Sequence, residues 1–153
     1  SYDFILERVK GIKAALEEKD PNCEIVIESD AVTTTDGLEA AENFLQAYPE
    51  LNGVVGINDS VVLGAYEAFK AADRIGDDVG LFACDGSLEG LEAVAEGSIH
   101  RGTVSLHLND VGKQMIDDGI TLVNGGTLES TTNYFPLEAV TKDNVQDFIY
   151  ELN

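Results

Sequence analysis

Gly53-Val54-Val55-Gly56-Ile57-Asn58-Asp59-Ser60 is the stretch that sets the reading of the whole chain. Residues 53–57 are apolar without alternation, the pattern of a strand buried on both faces. Asn58-Asp59-Ser60 follows at once and opens a helix that runs to about Ala72. The same unit repeats downstream. Val79 to Cys84 is a second buried-type strand, and Asp85-Gly86-Ser87 leads from it into a helix ending near Gly97. Further on, Thr103–Leu106 reads as a strand and Asn109–Val123 as a helix with Val111, Met115, Ile116 and Leu122 inward. A strand at Tyr134–Leu137 and a helix at Asp143–Leu152 complete the tail. Upstream, Ile5, Val9, Ile12 and Leu16 mark a helix over 4–19, which Asp20-Pro21-Asn22 stops because Pro cannot continue it. Glu24–Glu28 then reads as a short strand around Ile25, Val26 and Ile27. A helix with the stripe Leu38, Ala41, Leu45 and Tyr48 follows, with Asp36 and Glu39 as its capping pair and Pro49 as its stop. Strands separated by helices of this length are βαβ units, so the expected class is α/β with a parallel sheet and helices on both faces. No linker or repeat divides residues 1–153, which read as a single domain.

The 153 residues carry 29 acidic side chains against 9 Lys plus Arg, a formal net charge of −20. A nucleic-acid partner is excluded, since phosphate binding needs a positive surface, and anionic lipid is disfavoured on the same ground. The hydrophobic fraction of 44% is enough for a core. No run of about 18 apolar residues encodes a membrane-spanning helix. Ser1 is not an initiator Met and no signal peptide precedes it, so the chain reads as an excised piece. Cys23 and Cys84 each adjoin an apolar stretch and are expected as small buried hydrophobes. With only those two cysteines, His100 and His107, and no CxxC or HxxxH spacing, a zinc site is excluded. No cofactor motif is present either.

In an open parallel sheet, ligands bind beyond the carboxyl ends of the strands. Asn58-Asp59 and Asp85-Gly86 stand directly after the two most apolar strands. Asn offers a donor and an acceptor, and a carboxylate accepts paired hydroxyls, so together they suit a polyhydroxylated ligand. Each also has a structural reading. Asp59, closest to the helix start, is expected to act as its cap; Asn58 is open between cap and ligand contact, and Asp85 between turn residue and ligand contact. Arg8 lies at the edge of the first helix's apolar stripe. It is either a solvated arginine covering apolar surface with its stem or a guanidinium fork for ligand hydroxyls. Catalytic arrangements are absent: there is no GxSxG elbow or phosphate loop. Neither histidine has an obvious Ser or Cys partner, and both are expected to be structural or solvent-exposed. Asp77-Asp78 and Asp117-Asp118 read as solvated surface. No catalytic residue is assigned, and an α/β enzyme working through Asp85 or Asp59 is disfavoured.

Several segments together resemble the second lobe of type I periplasmic binding proteins. Arg8-Val9-Lys10-Gly11-Ile12 looks like an R-x-x-G helix opening of that family. Leu45-Gln46-Ala47-Tyr48-Pro49-Glu50-Leu51-Asn52-Gly53-Val54-Val55-Gly56-Ile57-Asn58-Asp59 is similar to its L-x-x-x-P-x-x-x-A/G-[VI]-x-x-x-N-D segment, and Leu63-Gly64-Ala65 continues it. Asp78 to Ser87 resembles D-V-x-V-x-G-F-D-G. Gly97 followed by Thr103-Val104, and Thr141-Lys142-Asp143-Asn144-Val145, also fit. The pairing of Asn-Asp with Asp-Gly is most like the ribose- and galactose-binding branch that feeds ABC sugar importers. Two positions depart from the pattern: Val32 stands where relatives often carry an aromatic ring, and Leu106 where they often carry Gln.

The resemblance implies a three-layer α/β/α lobe that lacks both the first lobe and the first strand of its own lobe. It implies a monosaccharide-class sugar as ligand, held by Arg8, Asn58 and Asp85, with no metal and no cofactor. Delivery would be to an ABC permease by the full-length protein, in a periplasmic or extracytoplasmic setting, with a lipoprotein anchor an option. Residues from about 130 to 153 would cross toward the first lobe. The isolated chain would bind sugar weakly, and its uncovered sheet edge would invite homodimers. The alternative reading is the effector-sensing core of a lac-repressor-like transcription regulator, which shares the fold.

Overall fold

A computed structural model describes residues 3–152. In chain order it has α1 (Asp3–Lys19), α2 (Thr34–Ala47), β1 (Gly53–Val55), α3 (Asp59–Ala71), β2 (Gly80–Phe82), α4 (Leu88–Glu96), β3 (His100–Ser105), α5 (Leu108–Val123), β4 (Glu138–Thr141) and α6 (Val145–Leu152). The strands form one sheet in the order β1-β2-β3-β4. β1, β2 and β3 run parallel, with Val54 beside Leu81 and Val55 beside Phe82. β4 is antiparallel to β3, pairing Thr103 with Val140. The sheet is therefore mixed, where the sequence pattern led to a parallel one: after α5, residues 124–137 form neither helix nor strand and return the chain to the end of the sheet where β3 finishes, so β4 starts beside Ser105 and runs the other way.

One face of the sheet is well covered. Val62, Ala65, Ala68 and Phe69 of α3 pack with Ala41 of α2 and with Val79, Leu81 and Ile99 beneath them. Leu91 and Val94 of α4 form a second cluster with Val140 and Val145, which docks α6. The α2–α3 crossing is close because Gly37 faces the Val61 backbone and Gly64 faces the Thr34 backbone; a Cβ at either would overlap its neighbour. The opposite face is open. Val55 and Phe82, side by side on it, are 44% and 46% exposed, and neither α1 nor α5 buries a residue fully.

Two expected strands are not where the sequence pattern put them. Glu24–Glu28 forms none: residues 23–32 are irregular, and among the described residues no backbone group of 24–28 makes a backbone–backbone hydrogen bond. A strand exists only by pairing, and a cleft separates this segment from β1. Cys23, expected to be buried, is consequently exposed, while Cys84 is half-buried. The strand expected at Tyr134–Leu137 forms instead at Glu138–Thr141. Pro136 cannot donate to a ladder, and Tyr134 and Leu137 face solvent, whereas Val140 is fully buried. The cap of α2 is also Thr33, which accepts from Asp36 N–H while the Asp36 carboxylate accepts from Thr33 N–H, so the capping box starts three residues before the pair expected from sequence.

Candidate functional site

The carboxyl ends of β1 and β2 carry the polar residues that the strand-end rule selects. β1 runs out at Gly56, whose N–H donates to Phe82 O, and Asn58 then caps α3. The Asn58 side chain is committed twice: Oδ1 accepts from Val61 N–H at 2.8 Å, and Nδ2 donates to Val32 O at 3.0 Å. Of the two readings open for Asn58, the cap is the one seen here, and its amide also ties the loop before α2 to the start of α3.

Asp59, expected to be that cap, is instead the first residue of α3 and is 2% exposed. Its carboxylate accepts from Thr103 Oγ1 at 2.6 Å, from Ser87 N–H at 2.7 Å and from Ser87 Oγ at 2.8 Å. Ser87 in turn caps α4 by accepting from Gly90 N–H. Gly90 has no Cβ because the Asp59 carboxylate occupies that space. One buried acid thus joins the start of α3, the start of α4 and β3. Ser87 and Thr103 were not picked out from sequence. The signal was the run Asn58-Asp59-Ser60, which supplies three polar residues where a cap needs one.

Asp85 ends the β2 segment under backbone strain. Its φ is 120°, in a region that disfavours any side chain, and Gly86 follows at 71°. The strain is held in place by β3, since Asp85 N–H donates to Val104 O at 2.9 Å and Leu106 N–H donates to Asp85 O at 3.3 Å. Arg8 of α1 meets it: Nη1 stands 3.3 Å from Asp85 Oδ1 and also donates to Ile57 O. The pair is neither buried nor free, with side chains 22% and 33% exposed. Burial raises the Asp85 carboxyl above the ordinary carboxylate range, Arg8 opposes that rise, and Asp59 adds to it. Burial likewise raises the neighbouring Cys84 thiol. Among the described residues, Arg8 Nε and Nη2 and Asp85 Oδ2 make no further hydrogen bond. The pair presents unused donors beside an unused acceptor, an arrangement matched to vicinal hydroxyls.

Arg8 and Asp85 are therefore brought together, and Asn58 stands at the adjoining strand end with its side chain engaged. The histidines belong to the frame. His100 is 1% exposed on β3, its ring makes no hydrogen bond, and burial lowers its pKa against the pull of Asp59. His107, with φ 49°, precedes α5 between Asp110 and Glu138 and packs near Phe148. No group of three or more metal-ligating side chains occurs among the described residues.

Comparison with known proteins identifies the family. Residues 5–127 match the family described as periplasmic binding protein domain. A xylitol-binding protein of Mycolicibacterium smegmatis is 33% identical over 147 residues, covering 92% of this chain and 39% of the relative. A ribose import binding protein of Bacillus subtilis is 27% identical over 145 residues, covering 90% of this chain and 46% of the relative. Among solved structures, an ABC transporter solute binding protein from Bacillus halodurans with bound myo-inositol superposes with a TM-score of 0.85 at 30% identity, covering 94% of this chain and 49% of that one. The chain spans about half the length, or less, of these proteins. The match over residues 5–127 and the shared fold make the chain a member of the periplasmic binding protein family, with the type I fold.

Proposed function

We propose that residues 1–153 form one lobe of a two-lobed carrier for a neutral, monosaccharide-class sugar or polyol. The carrier delivers its ligand to an ABC importer outside the cytoplasm. The observation that carries this reading is the Arg8–Asp85 pair at the carboxyl ends of β1 and β2, with unused donors next to an unused acceptor. Guanidinium and carboxylate at that spacing bind adjacent hydroxyls of one ring, each through charge-assisted hydrogen bonds. Asn58 lines the same strand end, and its carbonyl oxygen retains a second lone pair beyond the one Val61 uses.

The relatives named above are binding proteins rather than enzymes, and among the described residues the site contains no nucleophile–base pair. We read the function as capture without chemistry. A lobe presents only part of a ligand's shell, and the second lobe supplies the opposite wall and excludes water. Of residues 130–153, expected to cross toward that second lobe, the part before β4 is free to do so, with Tyr134 and Leu137 exposed, whereas Val140 and Val145 are packed within this lobe. The test is a thermal-shift and calorimetric screen of the full-length parent against neutral pentoses, hexoses and polyols. A ligand-dependent rise in Tm that Arg8→Ala and Asp85→Ala abolish supports the reading. Binding that survives both substitutions unchanged removes it.

A further inference from the structure

Phe4 lies in the first turn of the helix that carries Arg8, and it is 65% exposed. Exposure of a single apolar side chain means little by itself. Its place on α1 means more. Residues four apart share one face of a helix, about 6 Å apart along the axis, so Phe4 stands one turn from Arg8 on the face that Arg8 presents to Asp85. The direction of α1 decides on which side of Arg8 that turn lies. Arg8 reaches Ile57 O and Asp85 at the carboxyl ends of β1 and β2. From there α1 continues to Lys19, and residues 23–32 bring the chain back to the same strand ends, where Val32 O accepts from Asn58 Nδ2. The helix therefore runs away from the strand ends, and its first turn overhangs them. Side chains lean toward the N-terminus of their helix, which carries the Phe4 ring farther out beyond the sheet.

The rest of that rim holds no such group. Val32, Asn58, Asp85 and Leu106 stand at the strand ends, and none of them is aromatic. Arg8 and Asp85 address the hydroxyl edge of a ligand and leave its C–H surface without a partner. The face of an aromatic ring is electron-rich and attracts weakly positive C–H groups when they are displayed together on one side. A closed ring displays them so, whereas an open-chain polyol turns its C–H groups in several directions. We infer that Phe4 is a specificity-determining residue of this site: its ring is a platform for the C–H face of a cyclic ligand, a sugar ring or a cyclitol, whose hydroxyl edge Arg8 and Asp85 hold. Phenyl and guanidinium ride on one helix, so a ligand that meets one is positioned for the other. The inference rests on the sugar-carrier reading above and narrows it, from sugars and polyols in general to ring-shaped ones.

The test is calorimetry on the full-length parent with ribose and myo-inositol as ring ligands and xylitol as the open-chain one. Phe4→Leu keeps an apolar side chain and removes the ring; Phe4→Tyr keeps the ring. Phe4 belongs to neither core cluster, so both variants are expected to leave the Tm of the unliganded parent unchanged. Phe4→Leu is expected to weaken ring binding about fivefold or more and to leave xylitol binding within about twofold, while Phe4→Tyr retains ring binding. Equal losses for ring and xylitol overturn the inference, since Phe4 then serves a packing contact rather than the ligand. So does Phe4→Leu binding that matches the unsubstituted parent, and so does a parent that takes xylitol and neither ring. Where xylitol does not bind, the contrast between Leu and Tyr decides: equal ring affinity in the two variants overturns the inference. Each of these results leaves the carrier reading standing. A parent whose binding ignores Arg8→Ala and Asp85→Ala, or that binds none of the three, defeats the carrier reading and takes this inference with it.

Discussion

At the scale of single residues, the proposed function divides the site into groups that would meet a ligand and groups that hold them. Asp85 is proposed to be of the first kind. Its carboxyl is raised by burial, so the ionised form is disfavoured by folding. A folded value above the unfolded one means the contribution to stability is full below pH 3.8 and fades as pH rises through the folded value. Asp85→Asn is therefore expected to leave chemical stability at pH 7 unchanged or higher while lowering sugar affinity of the parent at least about tenfold, or 1.4 kcal/mol, by calorimetry. Asp59 is of the second kind. Asp59→Ala strands the buried Thr103 hydroxyl and leaves the half-buried Ser87 N–H and hydroxyl without their acceptor, and is expected to cost about 3 kcal/mol in urea denaturation. His100 gives a pH signature of the fold. Its value is lowered from 6.5 by burial, so the unfolded chain takes up the proton first. Stability is full above pH 6.5 and declines as pH falls below it, a decline that His100→Leu is expected to flatten in denaturation curves at pH 5 and pH 8.

At the scale of elements, most of the architecture was legible in the sequence, for reasons that can be stated residue by residue. Gly53–Ile57 and Val79–Cys84 are apolar without alternation, so composition alone marks them as strands even though Val55 and Phe82 lie exposed on the open face, and Pro21 and Pro49 punctuate the helices sharply. Strand-end position selected Arg8's partner Asp85 and drew attention to Asn58 and Asp59. What could not be read was pairing. Ile25-Val26-Ile27 has the composition of a strand but no ladder in this chain, and a strand's identity lies in its neighbour. Sequence position also put the cap at Asp59 where Asn58 holds it, because adjacent Asn and Asp are equally good caps and only the burial of Asp59 settles the choice. The close α2–α3 crossing gives a prediction at this scale. Gly64→Ala forces a methyl into the Thr34 carbonyl and is expected to destabilise by about 1–3 kcal/mol by thermal or urea unfolding, while Gly112→Ala, with nothing near it, changes stability little.

At the scale of the whole molecule, the half-covered sheet and the ligand site are two views of one fact. The packed face, built on Phe69, Leu81 and Val94, is complete in this chain. On the proposed function, the open face and the partly exposed Arg8–Asp85 pair are where a second lobe would sit. A charge of −20 suits a ligand that carries none, read by hydrogen bonds at a strand end rather than drawn in by the field. The central claim is that residues 1–153 hold one wall of a sugar cleft whose other wall lies elsewhere in the parent. Calorimetric titration of the parent and of residues 1–153 with the best ligand from the polyol screen tests it directly. The account predicts micromolar or tighter binding by the parent and binding at least about 100-fold weaker, a loss of 2.7 kcal/mol or more, by 1–153 alone. Micromolar binding by the isolated chain would contradict it.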